Sequence, residues 1–144
     1  MIAVDTNVLL RRLLNDDARQ AEKARQLFET QEPVLITDVV LAETIWTLTG
    51  KRYGARKDDI AAVVTGLLEE HTVVFESRQA VWSALNDYLE ALPVKTASGI
   101  RTADLADALI VNKAKITAQH RNEPYRGTYT YDQAALALEG TKVP

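Results

Sequence analysis

MIAVDTNVLL, residues 1–10, is the stretch on which the expected fold depends. A short apolar run at residues 2–4 ends at Asp5, and apolar residues resume at Val8 in the pattern of a helix. Open α/β sheets bind their ligands at the carboxyl ends of their strands, which is where this arrangement places Asp5. An Asp at such a junction is also a common helix N-cap, so Asp5 alone leaves a capping role and a ligand role open.

Short β-branched or aromatic runs alternate with helical patterns along the rest of the chain. Strands are predicted at residues 2–4, 34–36, 72–75 and 128–131. Helices are predicted at about residues 6–14, 18–30, 38–49, 58–70, 77–92, 103–116 and 132–138, with a loop at 93–101 and a polar, turn-rich stretch at 117–127. This alternation predicts an α/β fold, a three-layer α/β/α sandwich with a central parallel sheet of four or five strands.

Length and composition narrow the class of protein. The chain of 144 residues suits one domain, residues 1–144, and its lack of cysteine excludes disulfides, zinc–thiolate sites and cysteine nucleophiles. The formal net charge of −3 argues against a nucleic-acid binder with a broad basic surface, although an enzyme acting on nucleic acid is still compatible with it. With no leader-like segment and no apolar stretch of ~20 residues, we expect a cytoplasmic protein without a membrane span.

Glu43 is the first acid in an unexpected setting. It lies in VVLAETIWTL, residues 39–48, a helical stretch that is apolar on nearly every side. A buried carboxylate must be paired, protonated or bound to a cation, so the sequence leaves two interpretations. Glu43 forms a salt bridge to an arginine at the edge of the core, or it is a metal ligand.

Asp104 and Asp107 lie three residues apart in TADLADALIV, residues 102–111, and therefore share one helix face. Asp107 is predicted to lie in the second turn, too deep for capping, because the helix dipole acts within the first turn. A buried ion pair is the alternative for Asp107. For Asp104, an ordinary preference for acids in the first turn is the alternative.

Asp132 repeats the arrangement of Asp5, with Thr130 placing a hydroxyl near the same edge. If the strands are parallel, their carboxyl ends share one edge, and the acids converge there without matching cations. A divalent cation would relieve this repulsion. Oxygen donors without cysteine or paired histidine indicate Mg²⁺ or Mn²⁺ rather than zinc, and such ions commonly serve phosphoryl chemistry.

Four blocks in this order resemble a PIN domain, and most closely the VapC-type toxins of VapBC toxin–antitoxin pairs: DTN at 5–7, LAETIW at 41–46, ADLADALI at 103–110 and YTYD at 129–132. The resemblance implies a Mg²⁺- or Mn²⁺-dependent endoribonuclease, the toxin of a type II toxin–antitoxin pair. It assigns catalysis and metal binding to Asp5, Glu43, Asp107 and Asp132. Asp104 becomes an additional metal ligand, and Asn7 and Thr130 would orient the ligands.

The same resemblance implies the partners. The substrate would be RNA, and a VapB-type antitoxin would inhibit a homodimer by blocking its acidic groove. Operator DNA would be bound only through the antitoxin. Candidate phosphate contacts are Arg11, Arg12, Lys51, Arg52 and Arg101.

Two other functions are compatible with the residues. One is an aspartyl phosphatase of the haloacid dehalogenase-like type with Asp5 as nucleophile, although that motif requires a second Asp where this chain has Asn7. The other is a module without catalytic activity, whose acids dock a basic partner.

Overall fold

The computed structural model describes all residues, Met1–Pro144, which divide into two compact units. The first unit is Met1–Arg78 and the second is Gln79–Pro144. None of the helices combines the length and the hydropathy that a membrane-spanning helix requires. The assignment of residues 1–144 to one domain stays a prediction, as does the three-layer arrangement.

The first unit is built on a parallel sheet with β2 at its centre. Its elements are β1 (Ile2–Ala3), α1 (Thr6–Leu14), α2 (Ala18–Glu29), β2 (Val34–Ile36), α3 (Asp38–Thr49), α4 (Lys57–Glu69) and β3 (Val73–Phe75). The strand order is β1-β2-β3, with Ile2 opposite Val34 and Val34 opposite Val73. The run Val-Leu-Ile of β2 is continuously apolar, as is typical of a strand covered on both faces.

The second unit consists of helices and two small strand pairs. It contains α5 (Arg78–Glu90, starting at the last residue of the first unit), β4 (Val94–Thr96), β5 (Gly99–Arg101), α6 (Leu105–His120), β6 (Thr128–Tyr129), a 3₁₀ turn (Ala135–Ala137) and β7 (Thr141–Lys142). β4 and β5 form an antiparallel hairpin, and β6 pairs with β7 in parallel.

The α/β class is confirmed, but the predicted sheet of four or five strands is wrong in its detail. Three of the predicted strands form the parallel sheet. The predicted fourth strand is instead hydrogen-bonded to β7, because the Thr128 N–H donates to the Gly140 carbonyl at 2.8 Å and the Thr130 N–H to the Lys142 carbonyl at 3.0 Å. β7, near the C-terminus, lies outside the four strands predicted from the sequence.

Three local boundaries also differ. The predicted loop at residues 93–101 is the β4–β5 hairpin, whose Gly99 takes a positive φ of 114°. The helix predicted at 103–116 runs from Leu105 to His120. Asn122, two residues after the helix, has a positive φ of 54°. The helix predicted after Asp132 is only the 3₁₀ turn.

Substitution of Ile36 tests whether β2 lies at the buried centre of the first unit. Its side chain is 0% exposed, so Ile36→Ala should lower the free energy of unfolding by roughly 2–5 kcal/mol. Val39→Ala is the matched control three residues later, because Val39 is 66% exposed and should change stability by no more than about 0.5 kcal/mol. Urea unfolding measures both, and equal losses would contradict this packing.

Candidate functional site

Asp5 caps the first helix with only one of its carboxylate oxygens. Its backbone is extended, with φ −89° and ψ 175°, and its Oδ1 accepts the Val8 N–H at 2.9 Å. The side chain is exposed and its Oδ2 accepts no hydrogen bond from the protein. The capping role and the ligand role that the sequence set against each other are therefore compatible.

Glu43 is exposed, so the expectation that it is buried is wrong. The apolar helix α3 does not bury every face, since Val39 and Trp46, which share a face with Glu43, are 66% and 54% exposed. Glu43 also makes no salt bridge, which removes the arginine alternative.

Thr6 fixes Glu43 in place. Its Oγ1 donates to Glu43 Oε2 at 2.6 Å, and because Thr6 directly follows Asp5, the bond holds Glu43 beside the start of α1. Sequence reasoning missed Thr6 and named its neighbour Asn7, which is exposed and makes no side-chain hydrogen bond. The only signal for Thr6 was a hydroxyl directly after a strand-end acid.

Asp104 and Asp107 form a reciprocal capping box at the start of α6. The Asp107 N–H donates to Asp104 Oδ1 at 2.8 Å, and the Asp104 N–H donates to Asp107 Oδ2 at 3.0 Å. The prediction that Asp107 lies too deep to cap is wrong, because α6 begins at Leu105 and puts Asp107 in its first turn. Asp107 is half-buried and has no ion-pair partner, so the buried ion pair is not observed either.

The carboxyl group of Asp107 is held in an unfavourable charge environment. Burial raises its pKa to about 6, and although the hydrogen bond from the Asp104 backbone lowers it, the negative charges of Asp104 and Asp132 raise it again. Asp104 and Asp132 therefore lie close enough to Asp107 to affect its ionisation.

Asp132 is anchored at the start of the 3₁₀ turn. Its Oδ1 accepts the N–H groups of Ala134 at 2.8 Å and Ala135 at 3.3 Å, and its own N–H donates to Thr130 Oγ1 at 3.0 Å. The hydroxyl proton of Thr130 has no acceptor within the protein. A cavity of about 100 Å³ has Asp107 and Thr130 among its lining residues.

The predicted ligands thus stand as two sets, Asp5 with Glu43 in the first unit and Asp104, Asp107 and Asp132 in the second. No group of three or more His, Cys, Asp or Glu side chains is arranged to hold a metal ion. Their chemistry nevertheless fits a hard divalent cation, because the donors are all carboxylate oxygens. Each of the acids except Asp104 also has one carboxylate oxygen that accepts no hydrogen bond, and none of these four acids forms an ion pair.

Two of the predicted phosphate contacts have other roles. Arg11 donates to both oxygens of Asp16 at 2.9 Å, and this ion pair raises the pKa of Arg11. Arg12 donates to Glu70 at 2.6 Å and lies over the Phe28 ring at 4.0 Å. Both guanidinium groups therefore fasten α1 to its neighbours. Lys51, Arg52 and Arg101 are exposed.

The charge environment of Asp107 predicts that Asp107→Asn stabilises the protein at neutral pH. An Asn can still accept the Asp104 N–H, while the cost of burying a charge and the repulsion from Asp104 and Asp132 both disappear, so the gain at pH 7.5 should be on the order of 1 kcal/mol once solvent screening is allowed for. Because the folded-state pKa is raised, wild type is penalised only when this carboxyl ionises. The gain should therefore shrink as the pH falls through about 6.

Thermal unfolding between pH 4.5 and 8 measures this difference. Asp58→Asn is the control, since Asp58 lies exposed in the first turn of α4 and its substitution should not stabilise the protein at pH 7.5. An Asp107→Asn variant that is less stable than wild type throughout this range would contradict the account.

Comparison with known proteins assigns the family. The family model of the PIN domain matches residues 2–121. This range includes Asp5, Glu43, Asp104 and Asp107 and ends before Asp132. No curated protein matches the chain. PIN domains are generally nucleases and generally use divalent metals. Since the match spans most of the sequence, the chain belongs to the PIN domain family.

Proposed function

We propose that this protein is a metal-dependent endoribonuclease that cleaves RNA phosphodiesters as the toxin of a type II toxin–antitoxin pair. The observation that carries the proposal is the hydrogen bonding of the acidic side chains. Each is held by a hydrogen bond to one oxygen, and Asp5, Glu43, Asp107 and Asp132 have a second oxygen without a protein partner. None of these four acids is neutralised by an ion pair.

In this proposal the metal ligands are Asp5, Glu43, Asp104, Asp107 and Asp132, and the ion is Mg²⁺ or Mn²⁺. Hard cations of this kind prefer carboxylate oxygens, and this donor set contains neither sulfur nor imidazole. When bound, such an ion supplies activation of a water and neutralisation of charge on the phosphate.

The protein's own residues perform the remaining tasks. The Val8 N–H and the Thr6 hydroxyl hold Asp5 and Glu43 in one orientation, which limits the reorganisation needed when a ligand binds. Asp107 or Asp132 accepts the proton that leaves the attacking water. With the ion bound, Thr130 and Asn7 would orient its ligands, and the unpaired hydroxyl proton of Thr130 supports that role for Thr130.

The proposal includes the partners that a VapC-type toxin requires. These are a VapB-type antitoxin that inhibits the nuclease, a second copy of the chain in a homodimer, and operator DNA bound only through the antitoxin. Its place of action would be the cytoplasm, where RNA is available. The order of the four sequence blocks supports this finer assignment within the family.

Family membership favours the nuclease over the aspartyl phosphatase. The phosphatase motif needs an acid two residues after the nucleophile, and here that position is Asn7, inside α1. No observation favours a docking module without catalytic activity.

Asp5 and Asp17 provide a matched pair for testing the proposal. Asp17 caps α2 through Gln20 N at 3.0 Å, just as Asp5 caps α1, and Asn caps a helix about as well as Asp. Asp5→Asn should therefore preserve the fold and lower Mg²⁺- or Mn²⁺-dependent RNA cleavage about 100-fold or more, given that losing even an outer partner of a metal ligand typically costs 10–100-fold. Asp17→Asn should cleave like wild type.

Cleavage of total RNA by the purified proteins, with EDTA as the metal-free control, measures both variants. If wild type cleaves no RNA with either metal, or if both variants retain full activity, the proposed function is wrong.

A further inference from the structure

The β4–β5 hairpin is a basic segment on an acidic chain. Residues 93–103 include Lys95 and Arg101 but no acid, whereas the whole chain carries a net charge of −3. The hairpin is exposed along most of its length, and Ile100 is 78% exposed. A local excess of positive charge of this kind attracts a polyanion even when the overall charge is negative.

The hairpin lies next to the acids of the second unit at two points. The Ala97 N–H donates to Gln133 Oε1 at 3.2 Å, and Gln133 directly follows Asp132. At the other end, Arg101 precedes Asp104 by three residues, so their Cα atoms are within about 11 Å of each other. The hairpin therefore runs from the segment of Asp132 to that of Asp104.

Hydrogen bonds within the turn hold the tip of the hairpin in one conformation. Thr96 Oγ1 donates to the Gly99 carbonyl at 2.7 Å and lies 3.2 Å from Ser98 Oγ. Gly99 has a φ of 114°, which residues with a side chain rarely adopt. A turn that is already ordered loses little conformational entropy when it binds a ligand.

Lys95 and Arg101 have no partner within the protein. Neither side chain makes a hydrogen bond or an ion pair, whereas Arg121 of the same unit pairs with Glu123 at 2.8 Å and Lys115 binds the Glu139 carbonyl at 3.1 Å. Lys95 is opposite Ile100 in the hairpin and Arg101 is opposite Val94, so the two cations extend from opposite faces. Each cation would therefore contact a different phosphate.

We propose that the hairpin at residues 94–101 binds the phosphate backbone of the RNA next to the scissile phosphodiester, with Lys95 and Arg101 as the contacts. This inference rests on the proposed nuclease function and adds a substrate-binding element to it. Contacts of this kind position a nucleic acid without reading its sequence. Lys95 and Arg101 are binding residues and take no part in the bond-breaking step.

The double variant Lys95→Ala/Arg101→Ala tests the proposal, with Arg19→Ala/Lys23→Ala as its control. The control removes the same two charges from exposed positions of α2 in the first unit. Binding of a fluorescein-labelled single-stranded RNA is measured in EDTA, by anisotropy, over a series of salt concentrations. The hairpin variant should bind about tenfold more weakly at 0.1 M salt, and its salt slope should fall by about 1.4, or about 0.7 for each lost phosphate contact.

With Mn²⁺ present, the hairpin variant should show a raised KM for RNA cleavage and a nearly unchanged kcat. The control variant should match wild type in binding, KM and kcat. If the hairpin variant binds RNA with the affinity and salt slope of wild type, the proposal is wrong and these cations serve a protein partner or solvent. That failure is distinct from failure of the proposed function, in which wild type binds RNA but cleaves none.

Discussion

A hydrogen bond from a backbone N–H to one carboxylate oxygen recurs at the candidate site, and the local structure around most of the acids depends on it. It fixes Asp5 at the start of α1, links Asp104 and Asp107 at the start of α6, and holds Asp132 at the 3₁₀ turn. Each bond satisfies a donor that the element would otherwise leave without a partner. At the start of α6 these bonds hold Asp104 and Asp107 next to each other, and the raised pKa of Asp107 reflects its burial together with repulsion from Asp104 and Asp132.

The proposed action on RNA does not require a basic chain. Asp104 and Asp132 lie close to Asp107 in the second unit, where a cation would offset their charge, while the unpaired cations Lys95 and Arg101 lie on an adjacent hairpin. Arg11 and Arg12, which have the same charge, are instead neutralised by Asp16 and Glu70. Where a cation lies and whether it is paired are therefore more informative than the net charge.

The sequence predicted the α/β class and most helices, because periodic apolar patterns and capping residues are local signals. It failed where the outcome depends on distant residues. The strand at Thr128 pairs with Thr141 rather than with the three-stranded sheet, and no local pattern encodes that choice. Pro93 and Gly99 are typical of a loop, and they obscured a hairpin of only three residue pairs.

Within the site, the sequence identified the acids but not their environments. Composition showed that α3 is apolar, but it did not show that the face of Glu43 is exposed. A shift of two residues in the start of α6 changed Asp107 from an interior residue to a capping residue. The bond between Thr6 and Glu43 joins residues 37 positions apart and had no signal beyond a hydroxyl beside Asp5.

Whether the acids form a metal site is measured by binding of Mn²⁺ to the purified protein without RNA, followed by electron paramagnetic resonance of the free ion. If they do, wild type and Asp17→Asn will bind Mn²⁺ equally, and both Asp5→Asn and Asp107→Asn will bind it at least about tenfold more weakly. Equal binding by all four proteins, or no binding by wild type, would show that these carboxylates serve as helix caps and do not form a metal site.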